Sequence, residues 1–165
     1  MNRQPTPKRL IHLKCTETSQ KLALLLNEYN SFYQNLFCFK SNIWGNMFFV
    51  LTEKLEKLYK EFQMARDDLS YLTNKYNTFH KSEMKTFIPD NDYCIIDGKE
   101  IAFKIMDNLS ILIELERVLL KKLDKEKRVS MLKEFLTKRI KQNIQTIEIF
   151  SELIKRENEY PLIEK

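Results

Sequence analysis

Apolar residues recur every three or four positions along four long stretches of the chain, which is the spacing of one helix face. In the first stretch, from about residue 16 to 44, the apolar positions are Leu22, Leu25, Leu26, Tyr29, Phe32, Tyr33, Leu36 and Phe39. In the second, from about residue 46 to 76, they are Phe48, Leu51, Leu55, Leu58, Phe62, Ala65, Leu69, Leu72 and Tyr76. Gly45 lies between them, where a left-handed residue commonly ends a helix, and predicts a tight turn in which Trp44 plugs a packed corner.

The third and fourth stretches continue this pattern. From about residue 99 to 123 the stripe is formed by Ile101, Ile105, Leu109, Leu112, Leu115, Leu119 and Leu123, with Glu116 beside Leu115. From about residue 129 to 158 it is formed by Leu132, Leu136, Ile140, Ile144, Ile147, Phe150 and Ile154. Periodicity fails between residues 77 and 98, where Pro89 and Asp97-Gly98 indicate turns.

Four long helices joined by a short, a long and a short link predict an all-α four-helix bundle. A long crossover between helices two and three is typical of ferritin-like bundles, whereas an antiparallel bundle with a decorated loop is the simpler alternative. The chain contains only two glycines and four prolines, which favours helices over a sandwich or barrel rich in turns. We divide it into a basic arm (1–15), a bundle (16–158) and a tail (159–165).

The cysteines and the apolar stretches indicate the cellular compartment of the protein. Cys15, Cys38 and Cys94 are odd in number and widely spaced, so we expect neither a disulfide framework nor a zinc site, and we expect a reducing cytoplasm. No stretch is long and apolar enough for a signal peptide or a membrane span, so no membrane partner is expected.

A basic segment opens the chain, and it is the main indication of a nucleic-acid partner. The net charge is +5, and the first fourteen residues contain no acid but four cations: Arg3, Lys8, Arg9 and Lys14. Such an arm can neutralise DNA phosphates. The alternative is an ordinary frayed terminus with solubilising lysines.

Side chains suited to catalysis are scarce. There are two histidines, His12 and His80, and no Glu-x-x-His, the motif that marks a di-iron site inside a four-helix bundle. The sequence also lacks a glycine-rich phosphate loop and a His-Glu-x-x-His motif. These absences argue against a transition-metal enzyme whose site lies in the core of one chain.

Residues 22–72 nevertheless resemble the first two helices of the Dps family, the DNA-protecting miniferritins of bacteria. The matching positions are Leu26, Asn27, Asn42, Gly45, Phe48, Leu51, Glu56 and Asp67. The resemblance implies a ferritin-like fold and a homo-oligomeric cage of the dodecamer type. It also implies that iron is oxidised at a centre shared between two subunits.

The resemblance also shows where this chain departs from the family's iron centre. The two histidine positions hold Lys40 and Thr52, the acid after them is Glu56, and the partner's two acids fall on Asp67 and Tyr71. Only two oxygen ligands remain, and a protonated lysine cannot bind iron. We hypothesise that Lys40 forms an intersubunit ion pair with Glu56 and the partner's Asp67. The alternative is a solvated lysine near a helix C-terminus.

The acidic residues that line the family's pore are also mostly replaced in this chain. Its three acid positions near the turn between helices three and four fall on Glu126, Met131 and Phe135, so one acid remains.

Together these features predict a cage-forming, Dps-like stress-protection protein. Iron and DNA are its candidate ligands, and its ferroxidase activity is weak or lost. A rearranged iron site at Glu56, Asp67 and Tyr71 is a second hypothesis. A non-catalytic helical-bundle scaffold with no iron role is the alternative of a different class.

Overall fold

A computed structural model describes residues 17–75, 95–124 and 129–159. Four helices occupy the four predicted stretches: α1 (Glu17–Asn42), α2 (Phe48–Lys75), α3 (Gly98–Leu123) and α4 (Ser130–Glu159). The two-residue strands β1 (Ile43–Trp44) and β2 (Ile96–Asp97) pair in parallel. Each helix begins and ends within about two residues of its predicted bounds, which confirms the four-helix prediction.

Several predictions concern parts of the chain outside the described residues. These are the basic arm with Arg3, Lys8, Arg9 and Lys14, the pore position Glu126, both histidines, Cys15 and Cys94, and the tail from residue 160.

Contacts between helix ends show the relative directions of the helices. The first residue of α1, Glu17, forms an ion pair with Lys122 at the end of α3. At the end of α2, the Lys75 ammonium contacts Met131 at the start of α4, at 3.0 Å. Gly98 at the start of α3 packs against Met47, just before α2. Helices α2 and α3 therefore start at the same end of the bundle, so the last residue of α2 and the first residue of α3 lie at opposite ends.

The apolar stripes meet along the bundle axis and form one core. Its fully buried members include Leu22, Leu25, Phe32, Leu36, Leu51, Leu55, Phe62, Leu69, Ile101, Ile105, Leu109, Leu119, Leu123 and Leu136. Each helix buries one face because the hydrophobic positions repeat at the helical period. No helix in the described ranges is both long and apolar enough to cross a bilayer.

Trp44 does not plug the corner as predicted, since 67% of its surface is exposed. Successive side chains of an extended segment point to opposite sides. Ile43 takes the inward side of β1, so Trp44 points outward. Phe48 is likewise exposed rather than part of the α2 stripe, and Met47 fills the core in its place.

The α4 stripe also differs from the prediction. Ile140 and Ile144 are only partly buried, whereas Arg139 and Asn143, one position earlier in each case, lie in the core. The buried face of α4 is therefore rotated by one residue at its middle, and it is polar there.

Both glycines of the chain lie at the same corner, between α1, α2 and α3. Gly45 has φ +93°, in the left-handed region, and a Cβ there would lie 2.8 Å from the Asp97 carboxylate. That carboxylate accepts a hydrogen bond from the Lys99 amide at 2.8 Å and caps the start of α3. A Cβ at Gly98 would lie 2.8 Å from the Cβ of Met47. Glycine is needed here to let α2 and α3 start side by side.

Gly45→Ala should lower the free energy of unfolding by about 1–2 kcal/mol, because an L-residue is strained in the left-handed region. The Cβ also displaces the carboxylate that caps α3, which adds to the loss. Thermal or urea unfolding followed by circular dichroism measures the change. Gln63→Ala, at an exposed position of α2, is the control and should change stability by less than about 0.5 kcal/mol. Equal stability of Gly45→Ala and the native chain would contradict this role for the glycine.

Candidate functional site

An ion pair joins α1 to α2 where the resemblance predicts metal ligands. Lys40, in the last turn of α1, contacts the Glu56 carboxylate of α2, and the Lys60 ammonium lies 3.2 Å from the other oxygen of that carboxylate. The Lys40 side chain is 25% exposed and the Glu56 side chain 42%. Glu56 is therefore held between two cations. It lies at the edge of the surface along which α1 and α2 pack, which we call the α1–α2 seam.

These two lysines set the protonation of Glu56. Hydrogen bonds from Lys40 and then Lys60 hold the pKa of this carboxyl below its usual value. Glu56 is thus charged at neutral pH, and its charge is compensated by ammonium groups of its own chain. A metal ion would have to displace these lysines.

Lys40 also ends a row of stacked side chains along the seam. Its ammonium lies 4.5 Å from the centre of the Tyr59 ring. Tyr59 of α2 stacks on Tyr33 of α1, with ring centres 4.7 Å apart. The Arg66 guanidinium lies 4.4 Å from the centre of the Tyr33 ring. Cation–aromatic contacts of this kind hold Lys40 close to Glu56.

The remaining predicted site residues do not join this pair within one chain. Thr52 donates its hydroxyl to the Phe48 carbonyl at 2.6 Å, one turn back along α2. Asp67 pairs with the neighbouring Arg66 at 2.8 Å, and its side chain is 63% exposed. Tyr71 is 61% exposed. Asp67 lies eleven residues beyond Glu56 on the same helix, about 16 Å along its axis, so one chain cannot bring both to one ion.

The donors that one chain supplies at this position do not fit a metal ion. Glu56 is the carboxylate at the pair, and both of its oxygens contact lysine ammonium groups. Over residues 17–75, 95–124 and 129–159, no three His, Cys, Asp or Glu side chains are grouped so that they could hold an ion. A shared centre would require a second subunit, as the sequence resemblance implies.

A buried polar cluster that was not predicted from the sequence lies in the middle of the bundle. Its members are Tyr29 of α1, Glu116 of α3, and Arg139 and Asn143 of α4, all at most 5% exposed. The sequence contains a signal for it. Glu116 falls between Leu112 and Leu119 at helical spacing, and Arg139 and Asn143 follow Leu136 at steps of three and four. Polar residues inside an apolar stripe predict a buried network in which each polar group is hydrogen-bonded.

Two neutral side chains bridge the charges of this cluster. The Tyr29 hydroxyl donates to Glu116 and accepts from Nε of Arg139 at 3.3 Å. The Asn143 amide donates to both Glu116 oxygens at 3.2 Å, and its carbonyl oxygen accepts from Arg139 at 3.0 Å. The guanidinium also lies 4.5 Å from the centre of the Phe62 ring of α2. The cluster therefore involves side chains from all four helices.

Burial dominates the electrostatics of the cluster. It raises the pKa of Glu116 to about 7, against the opposing effects of Tyr29, Arg139 and Asn143. Burial and the nearby Glu116 also raise the pKa of Tyr29, so its hydroxyl stays protonated and remains a donor. A carboxyl that changes charge near neutral pH thus lies at the centre of the fold.

Comparison with known proteins assigns the arrangement of the helices to a class. No protein-family model matches the sequence, and no curated protein is significantly similar to it. Two solved structures match 92% of this chain and 99% of their own. The four helices and their order are those of the ferritin-like four-helix bundle, and this is the fold of the chain.

Two of the matching structures illustrate this likeness in fold. One is a Dps protein from Vibrio cholerae O1, described as a member of a broad superfamily of ferritin-like diiron-carboxylate proteins. It is 24% identical, with a TM-score of 0.68. The other is antigen TpF1 from Treponema pallidum, 14% identical with a TM-score of 0.74. These likenesses confirm the fold expected from the sequence resemblance.

The stability of the chain should depend on pH through Glu116. Its pKa is about 7 when folded, against 4.5 when exposed, so the folded state holds this proton more tightly. The contribution of Glu116 to stability is therefore greatest below pH 4.5 and falls as pH rises toward 7. A rise from 4.5 to about 7 corresponds to a loss of about 3 kcal/mol.

Glu116→Gln removes this titration, so the stability difference between the native chain and the variant should decline between pH 4.5 and 7. Urea unfolding at a series of pH values measures it. Glu114→Gln, at an exposed position of α3, is the matched control and should give a flat difference. A flat difference for Glu116→Gln as well would show that the buried carboxyl does not titrate in this range.

Proposed function

We propose that this protein is a self-assembling ferritin-like shell subunit whose ferroxidase position holds an ion pair in place of iron. The contact between Lys40 and Glu56 carries this proposal. Lys40 occupies a position where the sequence resemblance implies a metal-binding histidine, and its ammonium lies on the carboxylate that would bind iron. The cation that balances Glu56 is then a side chain rather than a metal.

The exposed surface beside the pair supports assembly. Phe48, Phe49, Thr52 and Glu56 of α2 line an open groove of about 650 Å³. Phe49 is 86% exposed, and Trp44 at the same corner 67%. Large apolar side chains exposed together commonly mark a protein interface. The groove contains two positions that the resemblance assigns to the boundary between two subunits.

Complementary charges further along α2 complete the proposed contact. Asp67 is exposed and pairs with Arg66, its neighbour on the same helix. In a two-fold dimer, Asp67 of the partner subunit would approach Lys40. The lysine would then neutralise one carboxylate from each chain. Such a pair fixes the register of an interface more than it strengthens the interface.

DNA binding by the arm of residues 1–15 stays a sequence-based prediction, as does a role in stress protection. Both are compatible with a shell.

The first test concerns the chemistry. Ferrous iron added in air should oxidise in the presence of the protein at the rate measured in buffer alone, as followed by absorbance. The triple variant Lys40→His, Thr52→His and Tyr71→Glu restores the donor types that the resemblance implies, and it should oxidise iron faster than buffer. Rapid oxidation by the native chain would contradict the proposal and favour the rearranged site at Glu56, Asp67 and Tyr71.

The second test concerns assembly. Light scattering coupled to size exclusion should give a mass of many subunits for the native chain. Lys40→Met leaves carboxylates unbalanced at the interface and should weaken association roughly tenfold, or about 1.4 kcal/mol. Lys60→Met is the matched control, because Lys60 contacts the same carboxylate but its side chain is 68% exposed. Its effect should be small.

Sedimentation at several pH values separates the possible results. If Lys40→Met associates as strongly as the native chain at every pH, the ion pair is not part of the interface. A native chain that stays monomeric at all concentrations would favour the scaffold alternative over a shell.

A further inference from the structure

Two tyrosines from different helices lie in direct contact at the middle of the α1–α2 seam. The hydroxyl oxygens of Tyr33 and Tyr59 are 2.5 Å apart and share a hydrogen bond. Their ring centres are 4.7 Å apart, and the ring planes differ by 19°. The rings are therefore nearly parallel, with their hydroxyl ends together.

This geometry brings the reactive carbons of the two rings against each other. When a phenol loses one electron and one proton, the unpaired electron spreads to the ring carbons next to the hydroxyl-bearing carbon. In two stacked rings whose hydroxyls touch, these carbons are neighbours. Two such radicals need no change in helix packing to meet.

The surrounding side chains hold the pair in this arrangement. Lys40 lies against the Tyr59 ring at 4.5 Å, and Arg66 lies against the Tyr33 ring at 4.4 Å. Both tyrosines are partly buried, on rigid helices rather than on a loop. The two rings are thus enclosed between two cations, and neither can swing away without losing these contacts.

Tyr29 and Tyr71 lack this arrangement. Tyr29 lies in the core, where its hydroxyl is bonded to Glu116 and its ring contacts Phe62 and Phe135. Tyr71 is 61% exposed and stacks on no other aromatic ring within the described ranges. Tyr33 and Tyr59 are the tyrosines there that contact each other.

We infer that Tyr33 and Tyr59 form an oxidative modification site at which a one-electron oxidant joins the two rings as dityrosine. Each phenol gives one electron to the oxidant and one proton to solvent. The two radicals form a carbon–carbon bond, and the hydrogen on each bonded carbon moves to oxygen to restore the phenol. The chain loses two hydrogen atoms in all, and two equivalents of oxidant are reduced.

The bond would join α1 to α2 covalently within one subunit. It closes a loop between positions that are 26 residues apart in sequence. The chain would thereby consume strong one-electron oxidants and keep its fold, since the rings already touch. This inference depends on contacts within a single chain, so it is independent of whether the protein forms a shell.

The test uses the full chain and a small oxidant, photo-oxidised tris-bipyridyl ruthenium with persulfate as the electron acceptor. We expect the blue fluorescence of dityrosine and a proteolytic product in which the peptides of Tyr33 and Tyr59 are linked, with the mass of two hydrogen atoms missing. Before proteolysis, the oxidised chain should run as a monomer on a denaturing gel. Its unfolding temperature should be higher than that of the untreated chain.

Tyr33→Phe and Tyr59→Phe keep the ring but not the hydroxyl, and each should reduce the intrachain product to background. Tyr71→Phe is the matched control and should leave the yield unchanged. The helical circular dichroism of each variant shows whether its fold is retained. Peptide mapping of the oxidised native chain shows which tyrosines are linked, without any variant. Modification of Tyr71 alone, or links only between chains, would overturn the inference.

Discussion

The register of α1, α3 and α4 depends on one buried polar cluster, in which Tyr29 and Asn143 bridge Glu116 and Arg139. Each of these polar side chains loses its hydration when the helices pack, and only complete hydrogen bonding compensates for that loss. The required donors and acceptors come from α1, α3 and α4 at one level of the bundle. A slip of one helix by one turn, about 5.4 Å, would leave a charge without partners in the core. The apolar stripes bring the helices together, and this cluster fixes their alignment.

Two glutamate side chains differ in pKa because their surroundings differ. Burial raises the pKa of Glu116, whereas two surface lysines lower the pKa of Glu56. Neither carboxylate is available to a metal within one chain. Glu116 is occupied by Tyr29 and Asn143, and Glu56 by Lys40 and Lys60. In this ferritin-like fold, both carboxyl groups are therefore bonded to side chains of the same chain.

The α1–α2 seam brings together the features that bear on function. Lys40, Tyr59, Tyr33 and Arg66 follow one another along it, each in contact with the next. The ion pair with Glu56 lies at one end of this row, and the open apolar groove lies beside it. A contact with a second subunit and an oxidative reaction within one subunit would therefore involve neighbouring residues.

The sequence by itself determined the four helices, their bounds and most of the core, because helical periodicity is a local property of the chain. It also indicated, through a resemblance, that Lys40 stands where a metal ligand would. Only the tertiary structure decided that α4 turns Arg139 and Asn143 inward instead of Ile140 and Ile144. That choice depends on Tyr29 and Glu116, which lie on other helices. The same holds at the corner, where the pairing of β1 with β2 turns Trp44 outward and Ile43 inward. Partners distant in sequence settle such positions, because a buried polar group is stable only where its hydrogen bonds are completed.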